Sequence, residues 1–188
     1  MVNVTTLSHD LVYQQTLTCM GQLPTASFQS PMPLRALLEV ALDAEEAAGN
    51  FQSGTQHDGS KEEAISLMCR ILFSHRELLR EYFAVDIRIG ETGRERGEER
   101  GEERGEGGEE VGDADGCVLA GMPIILSGQE PPLSALPELM LNLAHDVDWE
   151  EEKACLMGVS DALAAAYAGR LSAAPAFRTG APDALVQV

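Results

Sequence analysis

Positive charge is scarce in this chain: 13 Lys and Arg stand against 31 Asp and Glu, a formal net charge of −18 over 188 residues. Phosphate backbones and anionic bilayers repel so acidic a chain, which argues against direct nucleic-acid binding and against attachment to a membrane surface. Long apolar runs are missing as well. Nowhere do about 18 consecutive apolar residues occur, and MVNVTTLSHD has no basic segment leading into an apolar stretch, so neither a spanning helix nor a secretory signal is expected. Cysteine is sparse. Cys19, Cys69, Cys117 and Cys155 lie far apart, with no C-x-x-C pair and no histidine at zinc-ligand spacing, the pattern of reduced thiols rather than of a metal centre. N-V-T at Asn3 fits a glycosylation sequon, but nothing else points to secretion.

What remains is a chain 44% hydrophobic, long enough for one domain with a real core and too short for two. Ser8 is placed to cap a first helix carrying Val12, Tyr13, Thr16, Leu17 and Met20, with Gly21 to end it. A Pro-rich connector, SPMP, leads into LRALLEVALDAEEAAG, where Leu34, Leu37, Leu38, Ala41 and Leu42 form a stripe between Pro33 and Gly49. After a polar loop, Ser60 and Glu63 make a capping box. It opens a predicted helix of about six turns whose stripe is Ala64, Leu67, Met68, Ile71, Leu72, His75, Leu78, Leu79 and Tyr82.

The period then falls to two. YFAVDIRI sets Phe83, Val85, Ile87 and Ile89 on one side and Asp86 and Arg88 on the other, a strand, and CVLAGMPIIL is a second, with Gly121 and Pro123 marking a bulge or an edge. Pro137 suits the start of a helix bearing Leu139, Met140, Leu143, Ala144 and Val147. Asp148, with Glu151 three residues on, caps a last helix through WEEEKACLMGVSDALAAAYAGRL, and Glu150, Glu151 and Glu152 suit the positive end of its dipole. From Ser172 the chain loses all period. These elements predict a mixed α and β (α+β) fold, helices packed on a small sheet whose two strands pair as a hairpin.

Between those strands runs GETGRERGEERGEERGEGGEE. As a helix it would hold Gly93, Gly97, Gly101 and Gly105, at roughly 1 kcal/mol each, and bring Glu98 against Glu102 with no apolar residue to bury. From Gly90 to Gly116 there are 11 acidic residues and four arginines, −7 of the −18, so a disordered, expanded hairpin tip is expected. Arg-Gly tracts can bind RNA, but here glutamates outnumber the arginines, and no Gly-Lys-Ser/Thr follows the glycines to make a phosphate loop.

Candidate chemistry is thin. Cys69 and His75 could form a nucleophile and base, but no third orienting group or oxyanion loop accompanies them, and a packed core histidine is the better account. His145, Asp148 and Glu152 could suggest a metal cluster, yet they straddle a helix break, and a solvated helix start explains them. No cofactor is expected.

Three stretches in order, NVTTLSHDLVYQQTL, LREYFAVDI and GMPIILSGQEPPLSALPELMLNLAHDVDWEEEKACL, resemble the C-terminal domain of the eukaryotic Mlh-type MutL homologue, the shared subunit of the mismatch-repair heterodimers. The last is the most specific, with its Pro-Pro turn, LP helix start and V-x-W-x-E-E-K helix beginning. With PLRALLEVALD between, the likeness covers roughly Val2 to Tyr167 outside the repeat and parts of the polar loop. The resemblance implies a nuclear DNA mismatch repair fragment that pairs with a Pms-type MutL subunit. The family's N-terminal ATPase has no counterpart in these residues, nor does the partner's Asp-Gln-His-Ala endonuclease motif, so no catalysis is expected of this chain. The family's chain runs on after the AAAYA helix to a terminal Phe-Glu-Arg-Cys tail and begins earlier than Met1, so truncation at both ends, with edge strands lost, is expected. The resemblance also places Trp149 and Glu152 near a groove that binds short peptide motifs of repair partners such as an exonuclease. The resulting organisation is a partial dimerisation and partner-binding domain over 1–171, an insert within it at 90–116, and a disordered tail at 172–188. The alternative is an acidic helical scaffold or adaptor with no repair role.

Overall fold

The computed structural model describes residues 3–51, 60–90 and 116–173. The expectations for the bulk of the acidic insert and of the tail lie outside those residues. Among the described residues six helices pack with one small antiparallel sheet, the mixed α and β architecture expected.

Helix α1, Val4–Thr18, starts earlier than its sequence suggested. Asn3, not Ser8, is the N-cap: its side-chain oxygen accepts from the Thr5 and Thr6 amides, satisfying donors the first turn leaves without partners. Val12 and Thr16 are its buried residues, while Leu17, expected inside, is 37% exposed. The Thr16 hydroxyl stays satisfied by donating to Val12 O at 2.8 Å. Beyond Gly21 the expected connector is instead strand β1, Thr25–Pro33. Pro31 and Pro33 cannot donate to a ladder, but β1 lies at the sheet edge and its register slips between Ser27 and Met32, so the missing donors disturb no central pairing.

Helix α2, Leu34–Ala48, follows directly and ends as expected at Gly49, whose φ of 80° is the left-handed conformation of a helix C-cap. The Ser60 and Glu63 capping box is present in full and opens α3, Lys61–Ser74. The long helix predicted from there is two. Ser74 Oγ donates to Ile71 O, the carbonyl that also takes the His75 amide, and Arg76 donates to Phe73 O while stacking over the Phe73 ring at 4.0 Å. Such side-chain competition for backbone carbonyls bends helices, and the chain breaks at His75 before α4, Arg76–Phe83. The buried face is also rotated from the expected one. Ile65, Cys69 and Leu72 are buried in α3, whereas Leu67 and Tyr82 are 50% and 45% exposed.

The strand expected from Tyr82 is shorter. Phe83 closes α4, Ala84 takes the left-handed conformation at φ 55°, and β2 is only Asp86–Ile89. Its pairing with β3, Cys117–Pro123, is the antiparallel hairpin expected, closed by the Gly90 amide on Gly116 O at 2.8 Å. A register slip after Asp86 turns that carboxylate inward, 4% exposed, where Arg88 reaches back to donate to both its oxygens. The alternation that put Asp86 on the solvent side fails at this bulge. The sheet order is β1-β3-β2, so β3 is central and, except for half-buried Val118, buried throughout. Gly121 is needed there because a Cβ would lie 2.7 Å from Thr25 Cγ2 and 3.0 Å from Ala26 O on β1.

Helix α5, Leu136–His145, carries Pro137 in its first turn and buries Leu139, Met140, Leu143 and Ala144, with Val147 just beyond, all as the spacing predicted. The last helix, α6, is Glu152–Ala173 and packs along α1. Tyr167 of α6 donates to Pro123 O at the end of β3. The four cysteines form no disulfide, and three of them are buried.

Candidate functional site at the start of the last helix

The segment between α5 and α6 is built from nested turns. Asp148 Oδ1 accepts the Glu150 amide at 3.0 Å and the Glu151 amide at 3.4 Å, and Glu151 Oε2 then accepts the Ala154 amide at 2.7 Å. Asp148 therefore caps a turn and Glu151 caps the helix, which begins at Glu152, three residues later than the capping pattern suggested. Glu152 is exposed in the first turn.

Trp149 is half-buried and held twice. Its indole Nε1–H donates to Leu143 O in the last turn of α5, at 3.2 Å, and its ring lies on the His75 imidazole with centroids 4.3 Å apart and planes 10° from parallel. The helix break thus acquires a role, since it delivers His75 from α3 and α4 to the start of α6. Sequence reasoning placed His75 on a core stripe and Trp149 at a helix start without joining them. No signal in the sequence announces their meeting, because the apolar spacing runs unbroken through His75 and the break appears only in the fold.

Burial holds the His75 imidazole below its ordinary basicity. The ring is engaged in stacking on Trp149 and half-buried, and Cys69 is fully buried within α3, away from any approaching substrate. The Cys155 thiol is pushed up, first by burial and then by the Asp148 charge, which keeps it protonated and unreactive. His145 pairs with its neighbour Asp146 at 2.7 Å, and among the described residues no three His, Cys, Asp or Glu side chains converge as a metal site.

Two grooves lie away from Trp149. A shallow groove of about 390 Å³ between α1 and α6 is lined by His9, Asp10, Tyr13, Met157, Gly158 and Asp161, with His9 Nε2 3.3 Å from Asp161 Oδ1. A second, of about 470 Å³, sits among the ion pairs of Lys61 with Asp43 and Glu46. Neither touches Trp149, and no buried side-chain polar atom among the described residues lacks a partner that a ligand could supply. Apolar surface is exposed on α1, where Val4, Leu7 and Leu11 recur at i, i+3 and i+7 and are 59%, 60% and 53% exposed.

A family model described as "DNA mismatch repair protein Mlh1 C-terminus" matches residues 1–182. Among curated proteins, the chain is 26% identical over 159 residues to DNA mismatch repair protein Mlh1 of Dictyostelium discoideum, covering 85% of this chain and 14% of that one. It is 25% identical over 162 residues to putative MutL protein homolog 1 of Schizosaccharomyces pombe, covering 86% and 18%. The chain spans less than a fifth of the length of these relatives.

Proposed function

Because the chain belongs to the Mlh1 C-terminus family, we propose that it serves DNA mismatch repair as a protein–protein interaction module that pairs with a Pms-type MutL subunit. It works without catalysis of its own, in the nucleus, where that repair takes place. Residues 1–171 form the partner-binding unit, with 90–116 inserted in it and 172–188 as a tail. Trp149 and Glu152 form a second, smaller site for a peptide motif of a repair partner such as an exonuclease.

The observation that supports pairing is the α1 stripe of Val4, Leu7 and Leu11. Helix α1 packs along α6 and buries Val12 and Thr16, while the Val4, Leu7 and Leu11 line is apolar surface that the described residues leave in water. An amphipathic helix with i, i+3, i+7 anchors is a common way of filling a partner's groove. The acidic-scaffold reading accounts for the charge but not for an apolar stripe inside one of the three stretches that carry the family resemblance.

Co-purification with a Pms-type subunit, across a series of salt concentrations, tests this. Binding that survives high salt and falls at least tenfold, about 1.4 kcal/mol, in the Leu7→Glu, Leu11→Glu double variant is the expected result. Failure of the parent chain to bind, with a full-length MutL subunit binding as control, would sink the pairing and leave the family assignment standing.

A further inference from the structure

The groove between α1 and α6 carries charge of one sign. From α1, His9 Nε2 reaches to 3.3 Å from Asp161 Oδ1 on α6, while its Nδ1 stands 3.9 Å from Asp10 Oδ1 on its own helix. One imidazole thus lies between two exposed carboxylates, and whichever form the ring takes, the three side chains together remain negative. No lysine or arginine lines the groove. Its apolar wall is Tyr13, half-buried with its ring 9° from parallel to that of His9, and Met157, 45% exposed on α6. The groove also borders the apolar line of α1, because Asp10 lies three residues past Leu7 and next to Leu11, neighbours on a helix surface.

We propose that this groove is the charged part of the pairing surface and receives one basic side chain, a lysine or arginine, of the paired subunit. The inference rests on the reading of α1 as the pairing helix. Charge complementarity chooses the occupant: carboxylates on both helices and no lining cation call for a positive group. Tyr13 and Met157 fit the rest of such a residue, since lysine and arginine lay a long aliphatic stem on apolar surface and keep the charge at its rim. A second copy of this chain suits the groove poorly, because each copy carries a formal charge of −18. The two parts of the surface then have different tasks. Val4, Leu7 and Leu11 supply apolar burial, whereas Asp10 and Asp161 select partner and register, drawing in a basic residue and repelling an acidic one.

The experiment measures association and dissociation rates of the full chain with a Pms-type subunit at about 50 mM and about 500 mM salt. The Asp10→Asn, Asp161→Asn double variant keeps the shape of the groove and removes its charge. It should weaken pairing about three- to tenfold at low salt, mainly by slower association, and stay within about twofold of the parent at high salt, where screening has already removed the attraction. Melting curves identify any loss of fold. Should the double variant unfold, Asp10→Asn alone decides the matter, because it leaves the His9–Asp161 contact in place. A double variant that pairs like the parent at both salt concentrations, or is weakened equally at both, would overturn the role of the groove. If Leu7→Glu, Leu11→Glu still weakens binding, the pairing itself stands. Self-association of the parent chain that the double variant loses would make a second copy the occupant and overturn the proposal. A parent chain that does not bind the subunit at either concentration, while a full-length MutL control does, would overturn the pairing and this inference with it.

Discussion

At His75 the cost of charging a half-buried ring becomes measurable. Its folded basicity is lowered by burial from an ordinary value of 6.5, so the unfolded chain takes up the proton more readily than the folded one. The stability carried by the neutral imidazole is therefore complete above that ordinary value and is lost as pH falls through it towards the lower folded value. Replacing His75 with Phe removes the titration and keeps the stack. The expected outcome is a shallower fall in Tm between about pH 7.5 and pH 5.5 than in the parent. An unchanged slope would mean that other groups govern acid sensitivity there. Asp86 makes a different point at the same scale. Strand alternation alone puts it in water, yet it is 4% exposed, because one slipped residue pair reverses which side chains face inward and Arg88 compensates the buried charge.

The helices divide into those whose ends are written locally and those whose ends are not. In α3 the Ser60 hydroxyl accepts the Glu63 amide at 3.2 Å while Glu63 accepts the Ser60 amide at 3.1 Å. Those bonds, the backbone one foremost, hold the Glu63 carboxyl below the usual carboxylate range. Ser60→Ala removes one acceptor of an otherwise unpaired helix amide and should cost about 1 kcal/mol, lowering Tm by about 2–4 °C. A thermal melt checks this, and no change would show that the start of α3 is held by packing instead. The far end of that helix is another matter. The apolar spacing runs through His75 without interruption, and only the positions of Ser74 and Arg76 against the preceding carbonyls break it. Likewise the apolar spacing favours Leu67 for the inner face, and packing instead buries Ile65, Cys69 and Leu72.

Over the whole molecule, the sheet depends on a hairpin whose connection is much longer than a turn. Gly90 and Gly116 are hydrogen-bonded to each other at 2.8 Å, so the ends of the insert already stand where a short turn would hold them. Replacing Glu91 to Asp115 with a short Asn-Gly turn should leave folding intact and raise stability by about 1–2 kcal/mol through lower closure entropy. A large fall in Tm would show that the insert contributes contacts to the fold.

What the sequence by itself determined lies within a few residues of chain: the capping box at Ser60, the Gly49 stop, the Pro137 helix start, the hairpin strands, and the ordered stretches that carry the family likeness. Each depends on local hydrogen bonding or on a period the chain repeats, and so is readable without knowing what packs against it. The tertiary structure alone decided the rest. SPMP became part of an edge strand because β3 was there to pair with it, and Asp86 turned inward because β2 met β3 out of step. His75 and Trp149, far apart in the chain, became one stacked pair because a helix break and a capped turn were folded together. Contacts between distant residues depend on how elements are packed, and no window of sequence contains that information.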